Sequence, residues 1–592
     1  METLAALRSL FGFERFRPGQ AEAVAAALGD RDALIVMPTG SGKSLCYQLP
    51  ALMRQDLTLV VSPLVSLMQD QEAALSRIAP GKVGLVNSSR AGAVNAATVE
   101  RAVAGEIRLL YVAPERFALP GFVAAIQRAS VGLFAVDEAH CVSQWGHDFR
   151  PDYFTLADAA RRVGARSIVA LTATATPAVA VDIAQRLALR DPVRVTTGFD
   201  RPNLSFAVTR CVGGVDKSRR IAAALAEPDA LPAIIYAGTR DLCETLAREL
   251  AMALGVGVAA YHAGMSSGVR ARVQEEFMTG TVPVIVATNA FGMGVDKADV
   301  RTVCHASVPG SLEAYYQEAG RAGRDGRPAR CLLFAEQRDK GLHVFFIERA
   351  RVPDGAFDRV SERLRWAGVD GRYDVELREL AAAVGPRADG DVVRAVVGHL
   401  ARAGLVAPLP APPDRAAGRV VGEWNARVVA ACALSAREAE QVRWRQYRAI
   451  WGYVERSQCR RSALLRHFGD TSGGAPSVAC CDVCDPSVAP PEPAVVARVS
   501  RKSGLGAPGG DLDSAILDIV RAARPAVGRT RAVEILRGGR SKVVAEHGYD
   551  ELDGYGSFAH LRGSEVLERV DELLETGTLR STGGRFPKLR AA

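Results

Sequence analysis

The sequence predicts an α/β protein with two successive doubly wound parallel sheets, and three observations carry that prediction. First, an apolar run typical of a buried strand, Ala33–Val36, leads directly into a glycine-rich loop at residues 37–44. Second, strand-length apolar runs alternate with helical patterns over residues 34–189. Third, the same alternation returns over residues 200–345. Alternation of this kind is typical of parallel sheets with chemistry at the carboxyl ends of their strands.

The composition is that of a large globular protein with a basic surface. At 592 residues the chain is too long for one core, and its net charge of +8 favours a polyanionic partner. Most of its 11 cysteines are scattered, which argues against a disulfide framework and fits a reducing compartment. We find neither a secretory leader nor an apolar run long enough to span a membrane, so we expect no membrane partner.

The loop at residues 37–44 has the features of a phosphate-binding loop. Gly40 and Gly42 lack a Cβ, so backbone N–H groups can close on an anion at the start of the next helix. Lys43 would reach the β- and γ-phosphates of a nucleotide, and the Ser44 hydroxyl would ligate Mg²⁺. The flanking strand and helix favour this interpretation over a plain glycine-rich turn.

Residues shortly before that loop could recognise the base of the nucleotide. Gln20 offers a donor and an acceptor to an adenine edge, and Arg17 could stack on the ring. A surface helix end explains the same residues about as well. Their position before a phosphate loop favours base recognition.

Two carboxylates follow the predicted strand at residues 133–136. Asp137 would hold Mg²⁺ through water, and Glu138 would orient or deprotonate the attacking water. A solvated turn is the alternative, but pairing with Lys43 favours a nucleotide site. Residues 171–176 end another strand, and their threonine hydroxyls could couple the sites by rearranging hydrogen bonds.

The second segment of alternating pattern has no phosphate loop of its own. It carries Arg321 and Arg324, three residues apart and so on one face of a helix. The planar guanidinium suits phosphate oxygens, and two arginines supplied across a cleft could act as arginine fingers. Two solvated arginines in a flexible glycine-rich turn are the alternative.

The order of these motifs resembles that of superfamily 2 helicases of the RecQ type. The matching segments are residues 16–20, 40–44, 62–64, 113–116, 137–140, 172–174, 287–296 and 317–324. Residues 141–153 are similar to the family's aromatic-rich loop, which couples single-stranded DNA binding to ATP hydrolysis. The resemblance implies two RecA-like lobes, at residues 1–199 and 200–350.

By the same resemblance, the family's roles fall on individual residues. Arg321 and Arg324 would contact the γ-phosphate, and His140 would relay between ATP and the aromatic-rich loop. In that loop Trp145 and Phe149 would stack on bases and Arg150 would meet phosphate. Aromatic residues in a loop more often serve packing, but the position beside Glu138 and His140 reverses that preference. The nucleotide-binding residues implied are Arg17, Gln20, Thr39, Gly40, Ser41, Gly42, Lys43, Ser44, Gly292, Gly294, Asp296 and Gln317.

Residues 351–425 depart from the family pattern and look like an insertion. Helical patterns at residues 375–384 and 390–402, followed by an apolar segment, indicate a winged helix or, about equally, a helical hairpin. A stretch rich in Pro and Ala predicts a linker at residues 408–417.

The next segment, residues 426–486, resembles the family's helical zinc-binding subdomain. Cys459, Cys481 and Cys484 match its ligands, and a C-x-x-C pair suits tetrahedral Zn²⁺. Where many members have the fourth cysteine this chain has Val478, so we expect Cys480 to substitute, with His467 as the second candidate. Free core thiols are the alternative. The arginines of this segment, among them Arg460 and Arg461, form either a solvated surface or, as we expect, a DNA-facing one.

The remaining residues predict a flexible linker at 487–511 and a further domain at 512–592 that resembles the family's RQC winged helix. Helical patterns lie at residues 515–523, 527–536 and 564–575, followed by a hairpin. We find no clear aromatic residue on that hairpin to separate the strands of a duplex, since Tyr555 and Phe558 precede the last helix. The HRDC domain of some family members is expected to be absent.

The resemblance implies an ATP-dependent DNA helicase that moves 3′→5′ on single-stranded DNA, with ATP, Mg²⁺ and Zn²⁺ as cofactors. A single-strand translocase, or an RNA helicase that unwinds DNA poorly, is the first alternative. A zinc and winged-helix scaffold with a silent ATPase is the second. We expect single-stranded, forked and duplex DNA as partners, a single-stranded-DNA-binding protein as a plausible one, and a cytoplasmic, nucleoid-associated monomer.

Overall fold

The structure is a computed structural model in which the chain divides into two compact units, Met1–Ala494 and Val495–Ala592. It describes residues 2–592 except 64, 88, 144–152, 154, 293–296, 367–369, 386–387, 410, 412–413, 472, 494–511, 540, 562 and 583–586. No helix among the described residues is both long enough and apolar enough to cross a membrane.

The first lobe is a seven-stranded parallel sheet with helices on both faces, as the alternating pattern predicted. Its strands are β1 (Ala33–Val36), β2 (Leu57–Val61), β3 (Val83–Val86), β4 (Leu109–Val112), β5 (Val131–Val136), β6 (Ser167–Thr172) and β7 (Val193–Thr196). Its helices are α1 (Glu2–Phe11), α2 (Gln20–Leu28), α3 (Leu45–Met53), α4 (Val65–Ile78), α5 (Gly92–Val103), α6 (Pro120–Ile126), α7 (Leu156–Arg162) and α8 (Pro177–Arg186). The strand order β3-β4-β2-β5-β6-β1-β7 puts β5, β6 and β1 side by side. The loops that follow these three strands therefore meet at one edge of the sheet.

The second lobe is a six-stranded parallel sheet. Its strands are β8 (Leu204–Cys211), β9 (Ala233–Tyr236), β10 (Val258–Tyr261), β11 (Val284–Ala287), β12 (Thr302–His305) and β13 (Ala329–Glu336), in the order β10-β11-β9-β12-β13-β8. Its helices are α9 (Gly213–Leu225), α10 (Arg240–Leu254), α11 (Ser267–Thr279), α12 (Leu312–Ala319) and α13 (Gln337–Arg349). The sequence pattern missed the edge strands β7 and β8, because half-exposed edge strands lack a continuous apolar run.

The inserted segment has the element order of a winged helix. Its elements are α14 (Ala356–Trp366), β14 (Arg372–Glu376), α15 (Leu377–Val384), α16 (Gly390–Arg402), β15 (Val406–Leu409) and β16 (Arg415–Val420), with an antiparallel sheet in the order β14-β16-β15. The linker predicted at residues 408–417 was wrong, since strands occupy both ends of that stretch. The helix predicted from residue 375 begins at Leu377, because residues 372–376 pair with β16.

The third helix of this winged helix is not free to read a DNA groove. Most of α16 is buried, including Val393, Val396 and Leu400, and the helix packs on α14, α15 and the long helix α17 (Ala426–Glu455). The insertion is therefore part of the first unit, and its third helix serves to pack the insertion against α17.

The zinc-binding region consists of α17 and α18 (Arg460–His467), followed by a loop that carries three cysteines. This loop pairs with the edge strand β8, where Phe206 N donates to Cys480 O at 3.2 Å and Asp482 N donates to Phe206 O at 3.0 Å. The cysteine loop is thus fastened to the second sheet.

The second unit has its own apolar core, formed by four helices and a short antiparallel hairpin. Its elements are α19 (Leu512–Ala522), α20 (Arg529–Leu536), α21 (Lys542–Glu546), α22 (Gly563–Glu575), β17 (Leu579–Ser581) and β18 (Leu589–Ala591). Residue 586, which lies between β17 and β18 in the sequence, is a phenylalanine, and the expectation that the hairpin lacks a clear aromatic residue for strand separation stays a prediction. Phe586 itself lies outside the described residues.

Candidate nucleotide and zinc sites

A cleft of about 840 Å³ lies between the two lobes and gathers most of the predicted nucleotide-binding residues. The first lobe contributes Arg17, Gln20, Thr39, Gly40, Gly42, Lys43, Ser44, Asp137 and Glu138. The second contributes Gln317, Arg321 and Arg324. Two elements far apart in sequence therefore face each other across one cavity of a size suited to a nucleotide.

The phosphate loop has the backbone that its glycines were expected to permit. Gly40 and Gly42 adopt φ angles of +82° and +81°, in the left-handed region that favours glycine. Lys43 Nζ donates to the backbone oxygens of Met37 at 3.2 Å and Pro38 at 3.4 Å. Burial lowers the pKa of Lys43, although the carboxylates of Glu138 and Asp137 act in the opposite direction. A partly buried ammonium whose hydrogen bonds among the described residues go to carbonyl oxygens of its own loop suits the arrival of a polyphosphate.

Gln20 and Arg17 are directed at the phosphate loop itself. Gln20 Nε2 donates to the backbone oxygens of Ser41 and Gly42, each at 3.0 Å, and its Oε1 accepts from Arg17 N at 2.9 Å. Arg17 Nη1 donates to Gly40 O at 2.5 Å. In this structure both residues shape the loop, and their contact with adenine stays a prediction.

The two carboxylates stand at the end of β5, beside Lys43. Glu138 has a φ of +47°, a strained backbone for a residue with a side chain, and such strain clusters at functional sites. Burial and the neighbouring Glu138 raise the pKa of Asp137 to about 7, while Lys43 lowers it. The Ser44 hydroxyl and the Asp137 carboxylate supply the oxygen ligands that Mg²⁺ prefers.

His140 connects the acidic motif to the threonine-rich strand end. Its ring is fully buried, with Nδ1 at 3.3 Å from Glu138 Oε2 and 3.0 Å from Thr172 Oγ1. Thr172 Oγ1 also accepts from Thr174 N at 3.2 Å. The residues expected to relay between the sites therefore form one connected set of polar contacts.

The second lobe presents its two arginines on the turn after α12. Arg321 is 4% exposed and packs against Gly292. Its Nη2 atom lies only 3.1 Å from the position that a Cβ on this glycine would take. Arg324 reaches the first lobe and packs against Gly40 of the phosphate loop. Its Cγ atom lies 3.3 Å from the position that a Cβ on Gly40 would take. Their contact with a γ-phosphate stays a prediction, but both side chains line the cleft and that of Arg324 lies at the phosphate loop.

Five predicted site residues, Trp145, Phe149, Arg150, Gly294 and Asp296, lie outside the described residues. The residues that flank the aromatic-rich segment are described. Before it, Ser143 Oγ donates to Asp182 Oδ2 at 2.7 Å. After it, the buried Tyr153 donates from its hydroxyl to Asp137 O at 3.1 Å. The second contact joins the segment directly to the acidic motif.

Cys459, Cys480, Cys481 and Cys484 form a cluster whose sulfur atoms all lie within 4.8 Å of one another. Cys459 Sγ lies 3.6 Å from Cys480 Sγ and 4.0 Å from Cys481 Sγ. Tetrahedral zinc with Zn–S bonds of about 2.3 Å places sulfurs about 3.8 Å apart, so these four residues fit Zn²⁺.

His467, the second candidate for the fourth ligand, points elsewhere. Its Nε2 lies 2.7 Å from Glu313 Oε1 on α12. The expectation of a DNA-facing surface was wrong for Arg460 and Arg461, which are buried and paired with Asp482 and Asp200. Sequence spacing cannot distinguish a solvated arginine from one that ties two segments together.

Comparison with protein families matches four segments of this chain. A DEAD/DEAH box helicase profile covers residues 17–183, and a helicase conserved C-terminal domain covers residues 216–326. A RecQ zinc-binding profile covers residues 427–485, and an RQC domain covers residues 512–592. These four matches leave the winged-helix insertion uncovered.

A full-length relative decides the family. The ATP-dependent DNA helicase RecQ of Bacillus subtilis is 30% identical over 585 residues, which are 98% of this chain and 81% of that protein. This chain belongs to the RecQ family. The Haemophilus influenzae RecQ is 43% identical over 352 residues, 59% of this chain, and the match spans 56% of the relative's length. The match to the Pasteurella multocida RecQ, 42% identical over 352 residues and 59% of this chain, likewise spans 55% of its length.

Within the RecQ framework, some functional candidates emerge only from the fold. Tyr153 was part of a recognised segment, but nothing in the sequence showed that its hydroxyl reaches Asp137. Arg201 lies between the lobes, outside every motif, and donates hydrogen bonds to both of them. The only signal for Arg201 in the sequence was that it is a basic residue next to a proline in the segment between the lobes.

Proposed function

We propose that this chain is an ATP-dependent DNA helicase that translocates 3′→5′ on single-stranded DNA and unwinds duplex DNA in recombination and repair. The cleft between the lobes carries the proposal, because it brings Lys43, Asp137 and Glu138 together with Arg321 and Arg324. Such a site works only when both lobes are in place, which is how nucleotide turnover can drive lobe movement.

The proposed roles follow from the side chains that line the cleft. Bound Mg²⁺-ATP would supply the phosphoryl group whose transfer to water releases the free energy. Lys43, Arg321 and Arg324 would bind and orient phosphate oxygens, and Ser44 and Asp137 would hold the metal. Glu138 would orient the attacking water and accept its proton, held in place by its strained backbone and by His140.

Coupling to DNA is proposed to run through His140 and Tyr153. His140 contacts Glu138 and Thr172, and Tyr153 binds the backbone of Asp137. A strand that engages Trp145, Phe149 and Arg150 would therefore shift residues directly connected to the carboxylates.

We propose single-stranded, forked and duplex DNA as the substrates, in keeping with the net charge of +8. A second cavity, of about 550 Å³, lies at the carboxyl ends of β9, β11 and β12 and supports a strand path across the second lobe. We further propose a monomer that works on the cytoplasmic nucleoid, where a single-stranded-DNA-binding protein would be a natural partner.

The test is strand displacement with ATP on two duplexes, one with a 3′ tail and one with a 5′ tail. We expect displacement of only the 3′-tailed duplex, and we expect Lys43→Ala to abolish ATP hydrolysis while leaving DNA binding largely intact. Lys82→Ala is a matched control, because Lys82 is exposed on the same lobe and does not line the cleft.

Three outcomes would contradict the proposal. Normal ATP turnover by Lys43→Ala would refute the site assignment. DNA-stimulated hydrolysis without displacement would indicate a translocase, and stimulation by RNA rather than DNA would indicate an RNA helicase.

A further inference from the structure

The segment that joins the two lobes, residues 199–203, is held by the zinc-binding region. Arg461 Nε donates to Asp200 Oδ1 at 2.6 Å. The ring of Phe199 stacks on that of Phe468, with centroids 4.4 Å apart. The segment is therefore a fixed part of the first unit, and its side chains have defined positions between the lobes.

Arg201, at the centre of this segment, makes four hydrogen bonds to backbone oxygens. Nη2 donates to Ala322 O at 2.9 Å and to Gly323 O at 3.0 Å. Nη1 donates to Gly320 O at 3.1 Å and to Thr39 O at 3.4 Å. Three acceptors belong to the turn that carries Arg321 and Arg324, and the fourth belongs to the phosphate loop.

Placing the guanidinium group of Arg201 here costs desolvation free energy that an uncharged packing residue would not incur. The side chain is largely buried, and no carboxylate among the described residues forms an ion pair with it. Its partners are neutral backbone carbonyls, three of them in the turn where α12 ends, and guanidinium groups satisfy such carbonyls well. A buried cation without a counter-ion is more readily explained by a functional demand than by stability.

We propose that Arg201 is a positioning residue for ATP hydrolysis, which sets the distance between the phosphate loop and the turn that carries Arg321 and Arg324. The inference rests on the proposed function and adds a residue outside its motifs. The bonds to the turn hold the arginines in place. The longer bond to Thr39 O is the one that lobe movement would make or break.

The turn has a second support, which allows a variant to fold. Asn203 Nδ2 donates to Gly323 O at 2.8 Å and to Arg327 O at 2.9 Å. Arg201→Lys keeps the positive charge, but a single ammonium cannot span the turn and the phosphate loop as the guanidinium fork does. Arg201→Gln removes the charge and serves as the second variant.

The experiment measures steady-state ATP hydrolysis and the binding of two probes, ADP alone and ADP with aluminium fluoride, which mimics the transferring phosphoryl group. For both variants we expect kcat to fall about tenfold or more, since misplacement of catalytic groups by about 1 Å can cost 10²-fold. KM for ATP and ADP affinity should change less than about threefold, whereas binding of the fluoride complex weakens about as much as kcat falls.

Arg330→Lys is the matched control. Arg330 pairs with Glu227 and donates to Ala224 O at 2.7 Å, in the same lobe and away from the cleft. We expect its kcat to match that of the wild type.

Unchanged kcat in Arg201→Lys would overturn the inference. An equal loss of binding of both probes, together with lower thermal stability, would also overturn it, because Arg201 would then be purely structural. Wild-type protein without DNA-stimulated hydrolysis would refute the proposed function instead, and probe binding would still test Arg201.

Discussion

Tyr153 and Ser143 flank the aromatic-rich segment, and each is fixed to the first lobe by a hydrogen bond. The bond from Tyr153 goes to the backbone oxygen of Asp137, one residue from Glu138, whose φ of +47° depends on its surroundings. At the scale of single residues, the proposed coupling between DNA and ATP thus passes through a few short contacts.

Tyr153→Phe tests that contact. Removing the hydroxyl leaves the ring in its buried site and breaks the bond to Asp137 O, at a cost of roughly 1 kcal/mol. We expect DNA stimulation of ATP hydrolysis to fall severalfold while basal hydrolysis changes little, measured with and without single-stranded DNA.

Tyr111→Phe is the control, because Tyr111 is also buried in the first lobe and its hydroxyl accepts from Gln48 Nε2 at 3.1 Å. If Tyr111→Phe lowers DNA stimulation as much as Tyr153→Phe does, the coupling role of Tyr153 is wrong.

At the scale of elements, the zinc-binding region fixes parts of the second lobe relative to one another. Its cysteine loop pairs with β8, Arg461 holds Asp200, and His467 pairs with Glu313 on α12. Zinc in the cysteine cluster would therefore stabilise elements next to the nucleotide cleft as well as its own loop.

Cys480→Ser tests the fourth ligand. A structural zinc site contributes on the order of 10 kcal/mol to folding of a small domain, so losing one thiolate should lower both zinc content and thermal stability. Zinc per chain, measured by elemental analysis, should fall well below one in this variant.

His467→Ala separates the two candidates for that ligand. It removes the contact with Glu313 and the ring contact with Phe468, neither of which involves a cysteine, so zinc content should stay at that of the wild type. Loss of zinc from His467→Ala, with retention in Cys480→Ser, would reverse the assignment.

The inserted winged helix carries a buried histidine that makes its stability depend on pH. His399 lies against Arg402, Arg443 and Ser435, and burial, followed by these arginines, lowers its pKa to about 3. The unfolded chain takes up a proton below about pH 6.5 and the folded one does not, so stability is lost as pH falls below that value, by roughly 1.4 kcal/mol per pH unit.

His399→Gln should flatten this dependence, because glutamine takes up no proton in that range. The measurement is the difference in unfolding midpoint between about pH 7.5 and about pH 5.5 for the variant and the wild type. The exposed His560 provides the control variant His560→Gln, which should behave like the wild type. An unchanged dependence in His399→Gln would contradict the prediction.

At the scale of the whole molecule, each of the two units has its own core. The nucleotide cleft and the cysteine cluster belong to the first unit, whereas the second has an apolar core formed by α19, α20, α21, α22 and the hairpin. The division puts the residues proposed for ATP chemistry and the hairpin of β17 and β18 in different units.

Truncation tests that division. We expect residues 1–493 to keep DNA-stimulated ATP hydrolysis and to lose most strand displacement, and residues 512–592 to unfold cooperatively as an isolated domain. Loss of hydrolysis from a folded, zinc-loaded first unit would show that the second unit is needed for turnover.

The sequence by itself determined both parallel sheets, the phosphate loop, the acidic motif, the two arginines and the cysteine cluster. These features depend on local patterns: buried strands, glycines at positive φ, and ligand types at fixed spacing. The cleft brings Lys43 and Arg324 together as the motif order implied.

Only the tertiary structure decided the edge strands β7 and β8, the strands of the inserted wing, and the roles of Tyr153, Arg201 and His467. Edge strands and wing strands are short and half-exposed, so their apolar pattern is weak. The three side chains act through partners between 16 and 162 positions away in the chain, at Asp137, Thr39 and Glu313. Contacts of that kind depend on how the lobes and the zinc-binding region pack together, and no local pattern encodes them.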